Sequence, residues 1–398
     1  MRPDLPSPIT LNLQQRLTLL QAIATPSTKQ KWQIIDLLLR LDRFDEAVAL
    51  YRNIGEANTT AATQLLAARA LRGSDTLDHQ AEAETLLRHL LDRPLDDALQ
   101  SRVLVELGDI LRRRGDYDAA SERLLDALAI DPTYSTAIRK YAVIQADTGN
   151  FAALLAQSEK LIAKGGRQPR LVASYVTALA ALGREDEARA IRGEETLLRQ
   201  TSLEPPEGFA DLAAFNDRLN DELKRHPSLR YENSLRASSN SWRIDELYMR
   251  NGPMVKRLLD RIADMVEDHL RALADLPPHQ FFEERRPETA RISPWAVLTG
   301  AQGHEKWHVH ADGWISGVYY SAVPETIVHG TDKAGAIGFG WSERLLGEGA
   351  SEKLGEKIIH PAPGMLLLFP SWLHHRTWPH GLEEERICIS FDIVPSRK

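Results

Sequence analysis

From about residue 10 to residue 195, apolar positions recur every three or four residues and turn residues interrupt them at regular distances. That pattern predicts a run of amphipathic helices. Its period can be counted, because Gly115-Asp-Tyr-Asp-Ala-Ala, Gly149-Asn-Phe-Ala-Ala-Leu and Gly183-Arg-Glu-Asp-Glu-Ala begin 34 residues apart. Within residues 101–134, Gly108 and Ala120 are small enough to let two helices approach closely, and Pro132 after Asp131 stops the second helix. Asp42-Arg-Phe-Asp-Glu-Ala reads as an earlier turn of the same kind, and residues 81–94 match a second-helix segment displaced by 38 residues from 119–132. From 192 to about 228 come a charged helical stretch, a Pro205-Pro206 break and an amphipathic segment over 209–223. They read as a connector that caps the apolar edge of the array.

After Tyr231 the grammar changes. A long helix from 252 to about 273 places Met254, Leu258, Leu259, Ile262, Met265, Val266 and Leu270 on one stripe. Short β-prone runs follow at 292–298, 307–310, 315–320, 336–339, 364–369 and 386–393, separated by Gly, Pro and Asp. Consecutive short strands without helical patterns between them predict an antiparallel barrel or jelly roll. The chain therefore divides into a helical array over 1–195, connecting helices over 196–228 and a β-rich domain over 229–398.

Composition narrows the function. The 398 residues carry 49 Lys+Arg against 56 Asp+Glu, a formal charge of -7, so no basic excess is available to neutralise phosphates and nucleic acid is a poor partner. No run approaches the length of a membrane span, and the start MRPDLPSPITLNLQQ lacks the basic-then-apolar order of a signal peptide, which predicts a soluble, cytoplasmic protein with no membrane partner. The single cysteine, Cys388, forbids an internal disulfide and a cysteine-built zinc site. A metal must then be held by His, Asp or Glu. Eight of the thirteen histidines, from His304 to His380, fall within 77 residues.

Three segments of the β-rich half carry chemistry. In Trp307-His308-Val309-His310-Ala311-Asp312-Gly313, alternate side chains of a strand share a face, so His308 with His310, or His310 with Asp312, point together. An apolar strand from Phe369 ends in His374 and His375, and Arg386 opens the final strand. A His-x-carboxylate with a distant histidine on a facing strand is the two-histidine, one-carboxylate facial triad, which leaves three sites of iron(II) open for a 2-oxo acid and dioxygen. Arg386, eleven residues after His375, can reach the far carboxylate of 2-oxoglutarate and pair bidentately. Tyr319 and Tyr320 point to opposite faces, so one of them reaches the lumen and hydrogen-bonds the co-substrate. The plainer readings are structural hydrogen bonding for a lone strand histidine, and an ion pair of Arg386 with Glu383, Glu384 or Glu385. His304, His329, His360 and His380 have no partner pattern, and Trp314, Trp372 and Trp378 read as core or pocket wall.

The 34-residue spacing is that of the tetratricopeptide repeat, and predicts four or five helix pairs stacked in a curved solenoid whose concave face holds an extended peptide. Residues 226–391 resemble the iron(II)/2-oxoglutarate-dependent oxygenases in four blocks: His308-Val-His310-Ala311, Ser316-Gly317-Val318-Tyr319-Tyr320, the run from Phe369 to His375, and Glu385-Arg386-Ile387-Cys388-Ile389-Ser390-Phe391. This resemblance implies a C-terminal double-stranded β-helix, jelly-roll or cupin-like, with flanking helices. The whole chain is then multidomain α + β, with an N-terminal α-solenoid of tetratricopeptide-like helix pairs. The resemblance also implies His375 as the distal ligand, with His374 on the other strand face. Its fixed pair is His308 and His310, whereas wider oxygenases use His-x-Asp, which His310-Ala-Asp312 supplies. Ala311 replaces the usual proline, and Cys388 stands where Ser is common beside the arginine.

The expectation is an iron(II)-, 2-oxoglutarate- and O2-dependent oxygenase, with ascorbate as assay reductant, that hydroxylates a peptide or protein side chain recruited by the repeats. Metal candidates are His308, His310, His375 and Asp312; co-substrate candidates are Arg386, Tyr319, Tyr320 and Cys388. Two other readings stay open. One keeps the enzyme, gives it a small-molecule substrate and uses the repeats for assembly, a homo-oligomer included; the other is a non-enzymatic repeat adaptor whose jelly-roll domain binds metal.

Overall fold

The computed structural model describes all residues except 55–58, 75, 233–236, 251 and 397–398. They fall into two compact units, Leu11–Asn150 and a larger one made of Met1–Thr10 with Phe151–Lys398. No described helix is long and apolar enough to cross a membrane.

The smaller unit is helical. α1 (Leu13–Gln21) precedes the pairs α2 (Thr28–Arg40) with α3 (Phe44–Arg52), α4 (Ala61–Gly73) with α5 (Leu77–Leu91) and α6 (Asp97–Arg113) with α7 (Tyr117–Ile130), and α8 (Ser135–Asp147) closes it. Polar side chains set where helices start. Asn12, Ser27, Thr60, Thr76, Asp96 and Asp116 each accept a hydrogen bond from the backbone amide three residues on, which satisfies one of the amides that a helix start leaves unpaired. The counted turns share one backbone conformation: Gly115, Gly149 and Gly183 have φ of 83, 69 and 76°, and Asp42, at the matching place, has 58°. Left-handed backbone reverses the chain between paired helices, and aspartate is among the few side chains that tolerate it.

In the larger unit, α9 (Phe151–Ala163), α10 (Pro169–Ala181) and α11 (Glu185–Arg192) continue the repeat pattern. They nevertheless bury Val172, Val176, Leu179 and Ala188 in the same core as the sheet residues Ile315, Leu367 and Ile389. The packing units therefore divide at residue 150, whereas helical periodicity runs to 195. Next come α12 (Glu194–Leu197), β1 (Arg199–Ser202), α13 (Leu212–Lys224), β2 (Arg230–Glu232), β3 (Ser238–Ile244) and α14 (Pro253–Leu273). The remaining strands are β4 (Ala290–Glu305), β5 (Ile315–Ala322), β6 (Ile337–Phe339), β7 (Lys357–Ile359), β8 (Met365–Pro370), β9 (His375–Thr377) and β10 (Arg386–Pro395). α14 buries Leu258, Leu259, Ile262, Val266 and Leu270 of the expected stripe, with Met254 and Met265 only partly covered.

The strands form a seven-stranded antiparallel sheet, ordered β1-β8-β5-β10-β4-β3-β2, and a three-stranded sheet, β7-β6-β9. The expected jelly-roll class is thus present, with three differences in detail. β1 lies in the stretch read as a connector yet pairs with β8 as the sheet edge. β2, β3 and β7 are short or polar runs that periodicity does not single out. Residues 307–310, expected as a strand, are extended but form no ladder: His308 makes a single bridge to His375, and bends at Ala311 and Asp312 carry the chain into β5.

β10 lies between β4 and β5, and Gly317 of β5 faces Phe391 of β10. A Cβ at Gly317 would collide with the Phe391 ring and stand 2.8 Å from the Leu367 carbonyl oxygen. Gly317→Ala should therefore cost about 1–3 kcal/mol through overpacking, read as a lower midpoint in urea denaturation.

Candidate metal and co-substrate site

His308 and His310 come from the stretch between β4 and β5, and His375 opens β9. His308 and His375 are locked together by two backbone hydrogen bonds of 3.1 Å, while the His310 amide donates to the Ser371 carbonyl oxygen at 3.0 Å. One ligand atom from each of the three histidines lies within 4.8 Å of the other two. This is the arrangement that extended backbone imposes on residues two apart, met by a third from the facing sheet.

The rings are oriented as well as close. His308 Nδ1 donates to the Lys306 carbonyl oxygen at 2.7 Å, His375 Nδ1 to the Leu373 carbonyl oxygen at 2.9 Å, and His310 Nδ1 to Asp392 Oδ1 at 2.5 Å. Carbonyl and carboxylate oxygens only accept, so each Nδ1 carries the proton and each Nε2 keeps its lone pair for a metal. Burial, aided by the neighbouring imidazoles, pushes His308 down to about 3 and His375 well below its ordinary value. Both rings are neutral at pH 7, the form that binds metal.

Asp392 is the carboxylate of this cluster. It sits opposite Ser316 on β5, whose hydroxyl donates to Asp392 Oδ1 at 2.6 Å and meets Ser371 Oγ at 2.8 Å. Asp312 is exposed and absent from the cluster, and its backbone oxygen accepts from Arg285 at 3.1 Å. Of the two pairings left open by the sequence, the structure brings together His308 with His310. The bend at 311–312 ends the alternation before it reaches Asp312.

The histidines line a cavity of ≈ 190 Å³ shared with Arg386, Tyr320 and Cys388. An engineered cavity of about 150 Å³ holds benzene, so a five-carbon dicarboxylate has room. Arg386 is 2% exposed. Its Nη1 donates to the Gly335 carbonyl oxygen at 2.6 Å and its Nη2 to Thr377 Oγ1 at 3.2 Å, while Nε is buried without a partner. No carboxylate lies within ion-pair distance of it among the described residues, and Glu385 pairs instead with Lys224 at 2.7 Å. Glu305 shares the cavity and feels the charge of Arg386 without pairing with it, and a buried guanidinium with a free donor and no ion-pair partner is costly unless an anion completes it. These residues therefore fit both an imidazole-bound metal and a carboxylate co-substrate.

The two tyrosines part company. Tyr320 lines the cavity, where burial raises its pKa and keeps its hydroxyl protonated as a donor. Tyr319 points away and donates to Asn216 at 2.7 Å. Burial pushes the Cys388 thiol up to about 11, so it stays neutral beside Arg386. His374 is absent from the cavity wall. His304, His360 and His380 each bond a backbone carbonyl and His329 bonds Glu325, whereas Trp314 and Trp372 are core.

Sequence reasoning missed two acids. Asp392 continues the alternation of Arg386, Cys388 and Ser390 along β10, a signal that could have found it. Glu305 ends β4 against the cavity with Oε1 buried and unpartnered, and burial raises its pKa; no spacing pointed to it.

Residues 293–392 match the model of a family described as "Putative 2OG-Fe(II) oxygenase". This stretch, roughly a quarter of the chain, is a domain of the 2OG-Fe(II) oxygenase class, preceded by tetratricopeptide-like repeats, and that class implies iron and 2-oxoglutarate. No curated protein matches the chain. Among solved structures, a Pseudomonas putida prolyl-4-hydroxylase aligns at 16% identity and TM-score 0.34, over 52% of this chain and 96% of that one. A Trichoplax adhaerens prolyl hydroxylase, in complex with a hypoxia inducible factor oxygen degradation domain peptide fragment, aligns at 11% and 0.33, over 54% and 91%. YrrB, a TPR protein with an unusual peptide-binding site, aligns at 15% and 0.32, over 42% and 88%. Scores of this size carry no functional argument.

Because the Asp392 carboxylate holds the His310 ring, Asp392→Ala should weaken cobalt(II) or iron(II) binding by about 10–100-fold in a metal titration followed by absorbance. Unchanged affinity would show that the bond does not orient the ligand.

Proposed function

We propose that the protein is an iron(II)- and 2-oxoglutarate-dependent oxygenase that hydroxylates a peptide or protein side chain recruited by its repeats. The observation that carries the enzymatic reading is Arg386, a buried, uncompensated cation in one cavity with three histidines whose Nε2 atoms are free. Iron(II) with 2-oxoglutarate and dioxygen supplies the oxidation, placing one oxygen atom in a substrate C–H bond and the other in succinate, with loss of carbon dioxide. Ascorbate keeps the iron reduced.

The chain's own residues bind and orient. His308, His310 and His375 would hold the metal through Nε2, with no carboxylate among the protein ligands. Arg386 takes the far carboxylate of 2-oxoglutarate, with Tyr320 donating a second hydrogen bond beside the neutral Cys388. Trp295, Val297 and Phe369 add apolar wall beside Arg243, Glu305 and Thr377, and the burial of the site strengthens these charge interactions.

Recruitment of a peptide is supported by the smaller unit. It holds a groove of ≈ 880 Å³ with Leu20, Trp32, Leu37 and Leu66 among its lining. Apolar side chains in a helical-repeat surface suit an extended chain.

The full-length protein with iron(II), ascorbate and 2-oxoglutarate is expected to form succinate. Arg386→Ala should raise the Kd for 2-oxoglutarate about 10–100-fold, the worth of lost hydrogen bonds to a charged group. Absence of succinate with any peptide or metabolite tried, together with unchanged 2-oxoglutarate affinity in that variant, would overturn the reading. His308→Ala, His310→Ala and His375→Ala should each abolish iron binding measured by metal analysis, whereas Asp312→Ala should retain it; full occupancy in all four would remove the site.

A further inference from the structure

We propose that one face of the smaller unit binds an acidic peptide segment with an apolar anchor. This rests on the reading that the repeats recruit the substrate, and it names what they would recognise. The face is built on α4, α6 and α8. Asp109 of α6 is buried and takes Lys140 Nζ at 2.5 Å and Arg72 Nη1 at 3.0 Å, with Arg112 and Arg113 at 3.5 and 3.6 Å. Glu106, almost a turn earlier, pairs with Arg72 at 2.8 Å and Arg69 at 3.5 Å. Five cations therefore crowd two carboxylates. Arg102 and Arg139 add two more. Both are exposed, and neither makes a hydrogen bond or ion pair among the described residues, although Arg139 feels the charge of Asp109. Asp131, the other acid near this face, is occupied by Thr133. On a chain with a formal charge of -7, this is an island of opposite sign, and such a local field draws anions.

Dimensions and surroundings say which anion. Arg102 to Arg113 spans eleven residues of α6, ~16 Å of helix at about 1.5 Å per residue, the reach of about five residues of extended chain. On α4, Thr63, Leu66, Arg69 and Arg72 follow at three-residue intervals, so each neighbours the next on the helix surface and Leu66 lies beside Arg69. Thr63 and Leu66 line the groove that Leu20, Trp32 and Leu37 make apolar, and Leu19, which also lines it, is 58% exposed. The cationic strip thus runs into an apolar groove. A nucleic acid would use the cations and leave the groove idle, because its contacts are mostly to phosphate and sugar. A peptide carrying apolar residues beside acidic ones fills both. The ion pairs around Asp109 hold Arg72 and Lys140 in place beforehand, which lowers the ordering cost of binding.

The test titrates the full-length protein, free of iron and co-substrate, into a fluorescein-labelled peptide of two leucines followed by six glutamates. The six-lysine counterpart and a single-stranded oligothymidine of eight nucleotides are compared by fluorescence polarisation. The glutamate peptide should bind and the lysine peptide should not, with affinity falling as salt rises from ~0.05 to ~0.3 M. The double variant Arg102→Glu with Arg139→Glu, at exposed positions without partners, should bind the glutamate peptide about tenfold more weakly while keeping the wild-type circular dichroism spectrum. The proposal is overturned if the glutamate peptide fails to bind at the low salt, if the folded double variant binds it as well as the wild type, or if the oligonucleotide binds more tightly than the peptide. No turnover enters this assay. Peptide binding without succinate formation would therefore remove the oxygenase reading alone, and succinate formation without peptide binding would remove only this one.

Discussion

Sealing a guanidinium between two sheets without an ion-pair partner is costly unless something from outside completes it, and Arg386 is in that position. It opens β10, the strand that pairs with both β4 and β5, so its place is set by two ladders of backbone hydrogen bonds. The same strand carries Cys388 and Ser390 along the cavity wall and Asp392 against His310. Strand alternation puts these four side chains on one face, while Ile387, Ile389, Phe391 and Ile393 fill the core on the other. The buried guanidinium and the acid that holds the His310 ring are thereby held on one rigid element.

A cluster of three imidazoles gives the proposed metal site a charge balance of its own. A carboxylate ligand would cancel part of a divalent ion's charge, whereas here the acid is one hydrogen bond away, on the far side of the His310 ring. In the proposed function the ion would keep more of its positive charge for an anionic chelator, and Arg386 would draw on the same dianion. Burial of His308 and His375 works in the same direction, because it keeps the rings unprotonated and able to bind metal.

Within the smaller unit the logic is electrostatic as well as apolar. Asp109 is desolvated by burial, yet the surrounding cations, Lys140 foremost, hold its pKa down to about 2. Removing that acid would leave the cations to repel one another, so the ion-pair hub serves packing. The exposed arginines at its margin do not share that task.

Much of this is legible in the amino acids. Repeat length, helix pairing and the left-handed turns follow from local spacing, since a glycine or aspartate at a fixed interval acts within one turn of chain. The candidates His308 and His310 follow from alternation along an extended segment, His375 from the family resemblance and Arg386 from its place eleven residues later, and the lack of cysteines restricts a metal to imidazole and carboxylate donors. Alternation also misleads: it offered Asp312, because nothing local announces the bend at residues 311–312, and it drew a strand at 307–310 where extended backbone has no ladder. Asp392 and Glu305 escaped notice because their roles depend on partners far along the chain, 82 residues away for His310 and Asp392. What the sequence determined alone is the type and order of elements and the stock of donor atoms. Only the tertiary structure decided which histidine pairing closes on His375, which ring nitrogen is left free and that Arg386 has no ion-pair partner. Those properties are distances between residues remote in sequence, and only packing sets them.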